Sequence, residues 1–134
     1  MSVVADIHAI IWYVDSPTDL SQAATSAMDA SANDPIQRIF LSAISLIEMQ
    51  YLVEKGKIKP TILPKILAEI DNPQPIIEVV SIDRQVIDHL ALVPRLTVPD
   101  MPDRIIGTTA LLLNLSLVTA DTKIRALSNI VTVW

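Results

Sequence analysis

The chain has 134 residues, 51% hydrophobic and only 4% aromatic, with 15 acidic against 10 basic side chains and a net charge of -5. This length and composition suit one domain, residues 1–134, with an aliphatic core, and exclude a disordered chain. The acidic balance argues against nucleic-acid binding by general basicity but not against meeting a phosphodiester through a metal ion, and the lack of cysteine excludes disulfides and thiolate chemistry.

Val3-Val4-Ala5 lies in a short apolar run, Ser2 to Ala5, that shows no alternation and reads as a buried strand ended by Asp6. An amino terminus without a basic run is not a signal peptide. The longest apolar stretch, Ala110 to Val118, is broken by Asn114 and Ser116 and falls well short of the roughly 20 residues a bilayer span needs. The expectation is a soluble, cytoplasmic protein with no membrane contact.

His8 to Val14 reads as a helix, with Trp12 and Tyr13 walling one region. After the Pro17 turn, Leu20 to Ala32 carries a helical stripe of small residues, with Thr18 or Asp19 as cap. Arg38 to Ser42 is a second strand and a helix follows at once. In it Ser45 and Glu48 have the spacing of a capping box, and Gly56 reads as its C-terminal cap. Thr61 to Ile70 is another helix, stopped by Asp71-Asn72-Pro73-Gln74-Pro75.

Ile76 to Ser81 is the third strand, and Asp83 or Ser81 caps a helix to about Leu92. Pro94 to Asp100 is irregular. Pro102 then opens a helix running to about Leu113, with Asp103 in its first turn, where the positive end of the helix favours a carboxylate. Leu115 to Ala120 is the fourth strand, Thr122 to Leu127 a short helix and Ile130 to Trp134 the last strand. Short strands alternating with helices predict an α/β fold with a mainly parallel central sheet covered on both faces. Two glycines, Gly56 and Gly107, leave no phosphate-binding glycine loop.

Asp6 and Asp121 follow the first and fourth strands, Asp103 opens a helix entering from the same side, and Glu48 stands near the start of the helix after the second strand. In open α/β sheets ligands bind beyond the carboxyl ends of the strands. Four converging carboxylates repel unless a cation joins them, and an all-oxygen set suits Mg²⁺ or Mn²⁺ better than zinc. Each acid alone also reads as a simple cap: Asp6 for its strand end, Glu48 for Ser45, Asp121 for the Thr122 helix. Around them Thr119 and Thr122 offer hydroxyls, Asp100 an outer acid and Ser42 a cleft-lining group. Arg104 reads as a phosphate ligand, a clamp on an acid or a surface ion pair. His8 reads as a packing or surface residue.

Four stretches, Val3-Val4-Ala5-Asp6, Leu41 to Glu48, Pro99 to Ile106 and Leu117 to Ile124, together resemble the PIN domain, and within it the VapC-type toxins of toxin–antitoxin pairs. The resemblance implies a three-layer α/β/α sandwich and a metal-binding quartet of Asp6, Glu48, Asp103 and Asp121, with Asp100 as the acid preceding the helix-opening Asp. It implies a Mg²⁺- or Mn²⁺-dependent endoribonuclease, usually a homodimer, that cuts RNA and is neutralised by a small cognate antitoxin lying in an apolar groove. Met101 and Pro102 between Asp100 and Asp103 depart from many relatives, which carry an aromatic there. The helices at Leu20–Ala32, Leu46–Val53 and Thr61–Ile70 are the expected surface for the antitoxin or a second subunit. A non-catalytic interaction module, or a metal nuclease or phosphatase with another substrate, are the competing readings.

Overall fold

The first strand shows why the sheet lies in the middle of the molecule: Val3 and Ala5 join one apolar cluster and Val4, between them, joins another. All three are buried, as a central strand covered on both faces requires. The computed structural model describes residues 1–134 as a five-stranded sheet with seven α-helices.

The strands are β1 (Val3–Ala5), β2 (Ile39–Ser42), β3 (Ile77–Val80), β4 (Ser116–Val118) and β5 (Thr132–Val133). Their order is β3-β2-β1-β4-β5, and every neighbouring pair is parallel. The helices are α1 (Ile7–Asp15), α2 (Gln22–Ala32), α3 (Ala43–Glu54), α4 (Ile62–Ile70), α5 (Arg84–His89), α6 (Met101–Leu113) and α7 (Thr122–Arg125). One cluster packs Ile10, Met28, Met49 and Ile66 from α1 to α4 onto the sheet; the other packs Val86, Ile106 and Ile124 from α5, α6 and α7 onto its opposite face. The α/β/α layering expected from the sequence is therefore present.

Differences from the expected boundaries have local causes. Ser21, not Thr18 or Asp19, caps α2 by accepting from the Ala24 N–H, because Pro17–Asp19 forms a separate 3₁₀ turn. The helix from Asp83 loses its α pitch after His89 and tightens into a 3₁₀ turn at Leu90–Leu92. The Ser45–Glu48 capping box does not form. Helix α3 begins three residues earlier, at Ala43, with the Ser42 hydroxyl accepting from the Ile44 N–H at 3.3 Å. Gly56, with φ +68°, closes α3 in the left-handed conformation that glycine adopts without strain, and Asn114, with φ 53°, closes α6 the same way. No helix is long and apolar enough to cross a membrane.

The chain builds outward from β1 through β2 to β3, and then on the other side through β4 to β5. The order of connection reverses between β1 and β4, and that reversal opens a crevice beyond their carboxyl ends. Asp6 follows β1 and Asp121 follows β4.

Candidate functional site

Three acids at this edge are helix N-caps, each for the same reason: a short carboxylate beside an extended residue satisfies the free N–H groups of a first turn. Asp6 Oδ1 accepts from the Ala9 N–H at 2.8 Å and starts α1. Asp121 Oδ1 accepts from the Lys123 and Ile124 N–H groups, both at 2.9 Å, and starts α7. Asp100 Oδ2 accepts from the Asp103 N–H at 3.1 Å and starts α6. Capping and a further role are not alternatives here, since in each acid the capping bonds use one carboxylate oxygen and leave the other.

Asp6, Glu48, Asp100, Asp103 and Asp121 line one cavity of about 450 Å³. They come from the starts of α1, α6 and α7 and from the middle of α3. No lysine or arginine lines it. Asp6 is 6% exposed, and burial pushes its pKa up against the opposing pull of the Thr119 hydroxyl and the Ala9 N–H. Asp103 is pushed up to about 7, first by burial and then by the charges of Asp100, Asp121, Asp6 and Glu48. Thr119, fully buried, also accepts the Asp121 N–H at 3.0 Å, so one hydroxyl ties the acid after β1 to the acid after β4.

The carboxylates share a wall but do not close on one point: no group of three acidic or histidine side chains is drawn tightly enough to hold a metal ion as it stands. Like charges repel where no lysine or arginine stands between them. The donor chemistry nonetheless fits a hard divalent cation, being all oxygen and uncompensated by any fixed cation on the wall.

Other residues singled out from the sequence lie elsewhere. The Arg104 side chain turns away from the acids: its Nε donates to the Val93 carbonyl at 2.8 Å and its Nη2 to the Leu90 carbonyl at 3.2 Å. A guanidinium in the first turn of α6 meets the Val93 carbonyl just after the 3₁₀ turn and shares the Leu90 carbonyl with the Val93 N–H, in place of the expected phosphate or carboxylate partner. Ser42 is buried as the α3 cap and Thr122 is exposed in the first turn of α7; neither lines the cavity. Tyr13 does not share a wall with Trp12, because its hydroxyl donates to Asp29 of α2 at 2.8 Å.

The residues that the sequence reading undervalued are His8 and Trp12, which line the cavity beside the acids. The signal was their spacing: four apart, one turn beyond the cap Asp6, they lie on one helix face.

The PIN domain family model matches residues 3–130. Among solved structures, similar folds include VapBC2 from Rickettsia felis bound to a promoter DNA fragment (TM-score 0.72, 18% identity, covering 98% of this chain and 97% of that one). A toxin–antitoxin complex from Klebsiella pneumoniae is similar at TM-score 0.65 and 20% identity, covering 98% of this chain and 97% of that one. FitAcB from Neisseria gonorrhoeae is similar at 0.64 and 16%, covering 97% of this chain and 95% of that one. No curated protein sequence matches the chain.

Proposed function

The chain belongs to the PIN domain family, and from that premise we propose that it is a single-domain toxin of a type II toxin–antitoxin pair, a Mg²⁺- or Mn²⁺-dependent endoribonuclease. The observation that carries this reading is the gathering of Asp6, Glu48, Asp103 and Asp121 on one cavity that no lysine or arginine lines. Those four residues would hold the ion, with Asp100 as an outer acid. When bound, Mg²⁺ or Mn²⁺ supplies Lewis-acid polarisation of a phosphate and a more acidic water. The chain supplies the positioning: N–H groups of α1 and α7 fix one oxygen of Asp6 and of Asp121. Thr119 holds the two acids in relation to each other, and Asp100 anchors the turn that carries Asp103.

The structural neighbours include toxin–antitoxin complexes, which supports a small antitoxin as partner. Ile47 and Tyr51 of α3 and Leu67 of α4 are exposed apolar groups, and in this reading that face takes the antitoxin. A homodimer acting in the cytoplasm completes the proposal.

The test is cleavage of single-stranded RNA with Mg²⁺ or Mn²⁺ and with chelator, repeated for Asp103→Asn. Metal-dependent cleavage lost in the variant is the expected result. Equal cleavage by both proteins, or none by the native chain, overturns the reading and leaves Asp6, Asp100 and Asp121 as helix caps.

A further inference from the structure

Arg38, the residue just before β2, is fixed through both its backbone and its side chain. Its N–H donates to the Ser2 hydroxyl at 2.9 Å and its carbonyl accepts the Val3 N–H at 3.3 Å. Its Nη1 donates to the carbonyls of Pro35 at 3.1 Å and Gln37 at 2.7 Å. Nε and Nη2 have no hydrogen-bond partner, and no carboxylate pairs with the guanidinium, since the ion pairs of the structure are Lys59–Asp15 and Arg84–Asp88. The residue is half-buried, yet the one fully buried side-chain atom without a partner is Ser45 Oγ, so both free nitrogens reach solvent.

Arg38 lines a cavity of about 420 Å³, within the range of ligand pockets, roughly 300–1,000 Å³. This cavity lies at the amino ends of the strands, between the turn that enters β2 and the Pro73–Ile76 segment that enters β3, whereas the acids of the other cavity stand beyond the carboxyl ends. Asn33, Asp34 and Gln74 share its wall. Asp34 Oδ1 accepts the Ile36 N–H at 2.9 Å, and Oδ2 has no partner. Arg38 and Asp34 thus share one cavity without pairing to each other. Pro35, Pro73 and Pro75 stiffen the wall with their fixed φ and, lacking N–H groups, add no donors to it.

The Nε and Nη2 edge of an arginine presents two parallel N–H groups that match the two oxygens of a carboxylate or a phosphate. Asp34 decides between them: its charge repels a dianion more than a monoanion, and its free oxygen accepts an N–H. We propose that this cavity binds a monocarboxylate that carries its own N–H donors, the chemistry shared by the carboxyl end of a peptide and a free amino acid. The carboxylate sits on Nε and Nη2 of Arg38 and the N–H group of the ligand on Asp34, with the amides of Asn33 and Gln74 able to serve either. The site lies at the opposite end of the sheet from the acids and stands whether or not the nuclease reading holds.

The test is NMR titration of the isotope-labelled full chain with acetyl-dialanine, its carboxyl-terminal amide, alanine and inorganic phosphate, following the Arg38 Nε–H and the side-chain amides of Asn33 and Gln74. It is run at about pH 8, where phosphate is a dianion. Acetyl-dialanine is expected to shift these signals saturably and to bind about tenfold tighter than its amide or phosphate, the difference made by one charge-assisted pair. Arg38→Gln is expected to lose the preference for the free carboxylate. Asp34→Asn, which keeps an oxygen for the Ile36 N–H, is expected to weaken acetyl-dialanine and to strengthen phosphate. Alanine weaker than acetyl-dialanine marks a peptide end as the source of the ligand; alanine as tight or tighter marks a free amino acid. No saturable shift, equal binding of the amide, phosphate as tight as the dipeptide, an unchanged preference in Arg38→Gln, or both affinities moving together in Asp34→Asn overturns the proposal. The comparisons on the native chain decide it even where Arg38→Gln, which also gives up the bonds to Pro35 and Gln37, fails to fold.

Discussion

Asp100 holds the backbone of Asp103 and repels its side chain: the Asp100 carboxylate accepts the Asp103 N–H at 3.1 Å, and its charge is one of the causes that lift the Asp103 pKa to about 7. The folded protein therefore keeps a proton on Asp103 that the unfolded chain releases near 3.8. Between those values the folded state binds more protons, so unfolding free energy falls as pH rises through the window. With chelator present, stability is expected to drop by about 2 kcal/mol from pH 5 to pH 8, after allowance for solvent screening. Mn²⁺ is expected to reverse the trend, because a cation favours the ionised acids. Thermal melts at the two pH values, with chelator and with Mn²⁺, check both signs; a metal-free melt that rises with pH contradicts the account.

Asp121 separates capping from metal holding. Its Oδ1 caps α7 by accepting two N–H groups, and asparagine caps nearly as well as aspartate. Asp121→Asn is therefore expected to melt within about 0.5 kcal/mol of the native chain, whereas Asp121→Ala loses about 1 kcal/mol. Both variants are expected to lose most of the stabilisation by Mn²⁺, since both remove the charge. Denaturant midpoints with and without the ion distinguish capping by Asp121 from its proposed hold on the ion.

The periodicity of the sequence was enough to place the strands and helices, because β1 is an unbroken apolar run, β2 and β4 are apolar but for one terminal serine each, and the helices carry caps and stops. It was also enough to nominate the acids: Asp6, Asp103 and Asp121 stand at helix starts, and Glu48 lies inside α3. Sheet order was not legible: which strands become neighbours depends on pairing between segments such as Val3 and Ser116, and no local pattern encodes that. Side-chain direction was equally hidden. Arg104 follows Asp103 in sequence, yet the helical step from one residue to the next sends it to the carbonyls of Leu90 and Val93. Ser45 and Glu48 had capping-box spacing, but the competing cap Ser42 starts the helix earlier.

Arg104 thus acts on the fold. Its two bonds join α6 to the turn after α5, and the neutral substitution Arg104→Ala leaves the Val93 and Leu90 carbonyls without that partner. Loss of about 1.5–3 kcal/mol is expected, the range for bonds to a charged group. Mn²⁺ binding is expected to persist with little change in affinity, because the guanidinium is directed away from the acids. Calorimetric titration with Mn²⁺, alongside a denaturant melt, reads the two effects separately; a large change in ion affinity with unchanged stability contradicts this role.

Ser45 gives a prediction of opposite sign. Its hydroxyl is fully buried within α3 and has no hydrogen-bond partner. A buried polar group without a partner carries its desolvation penalty uncompensated. Alanine removes the hydroxyl, keeps the small volume and has the higher helix propensity. Ser45→Ala is therefore expected to stabilise the protein by about 1 kcal/mol, the low end of the penalty for an unpaired group. Had Ser45 been the cap implied by its spacing to Glu48, the same substitution would instead cost about 1 kcal/mol. The sign of the change in denaturant midpoint decides between these, and with it whether α3 begins at Ala43. A helix starting there holds Glu48 in its second turn, so the substitution also tests the backbone register that brings the Glu48 carboxylate to the cavity.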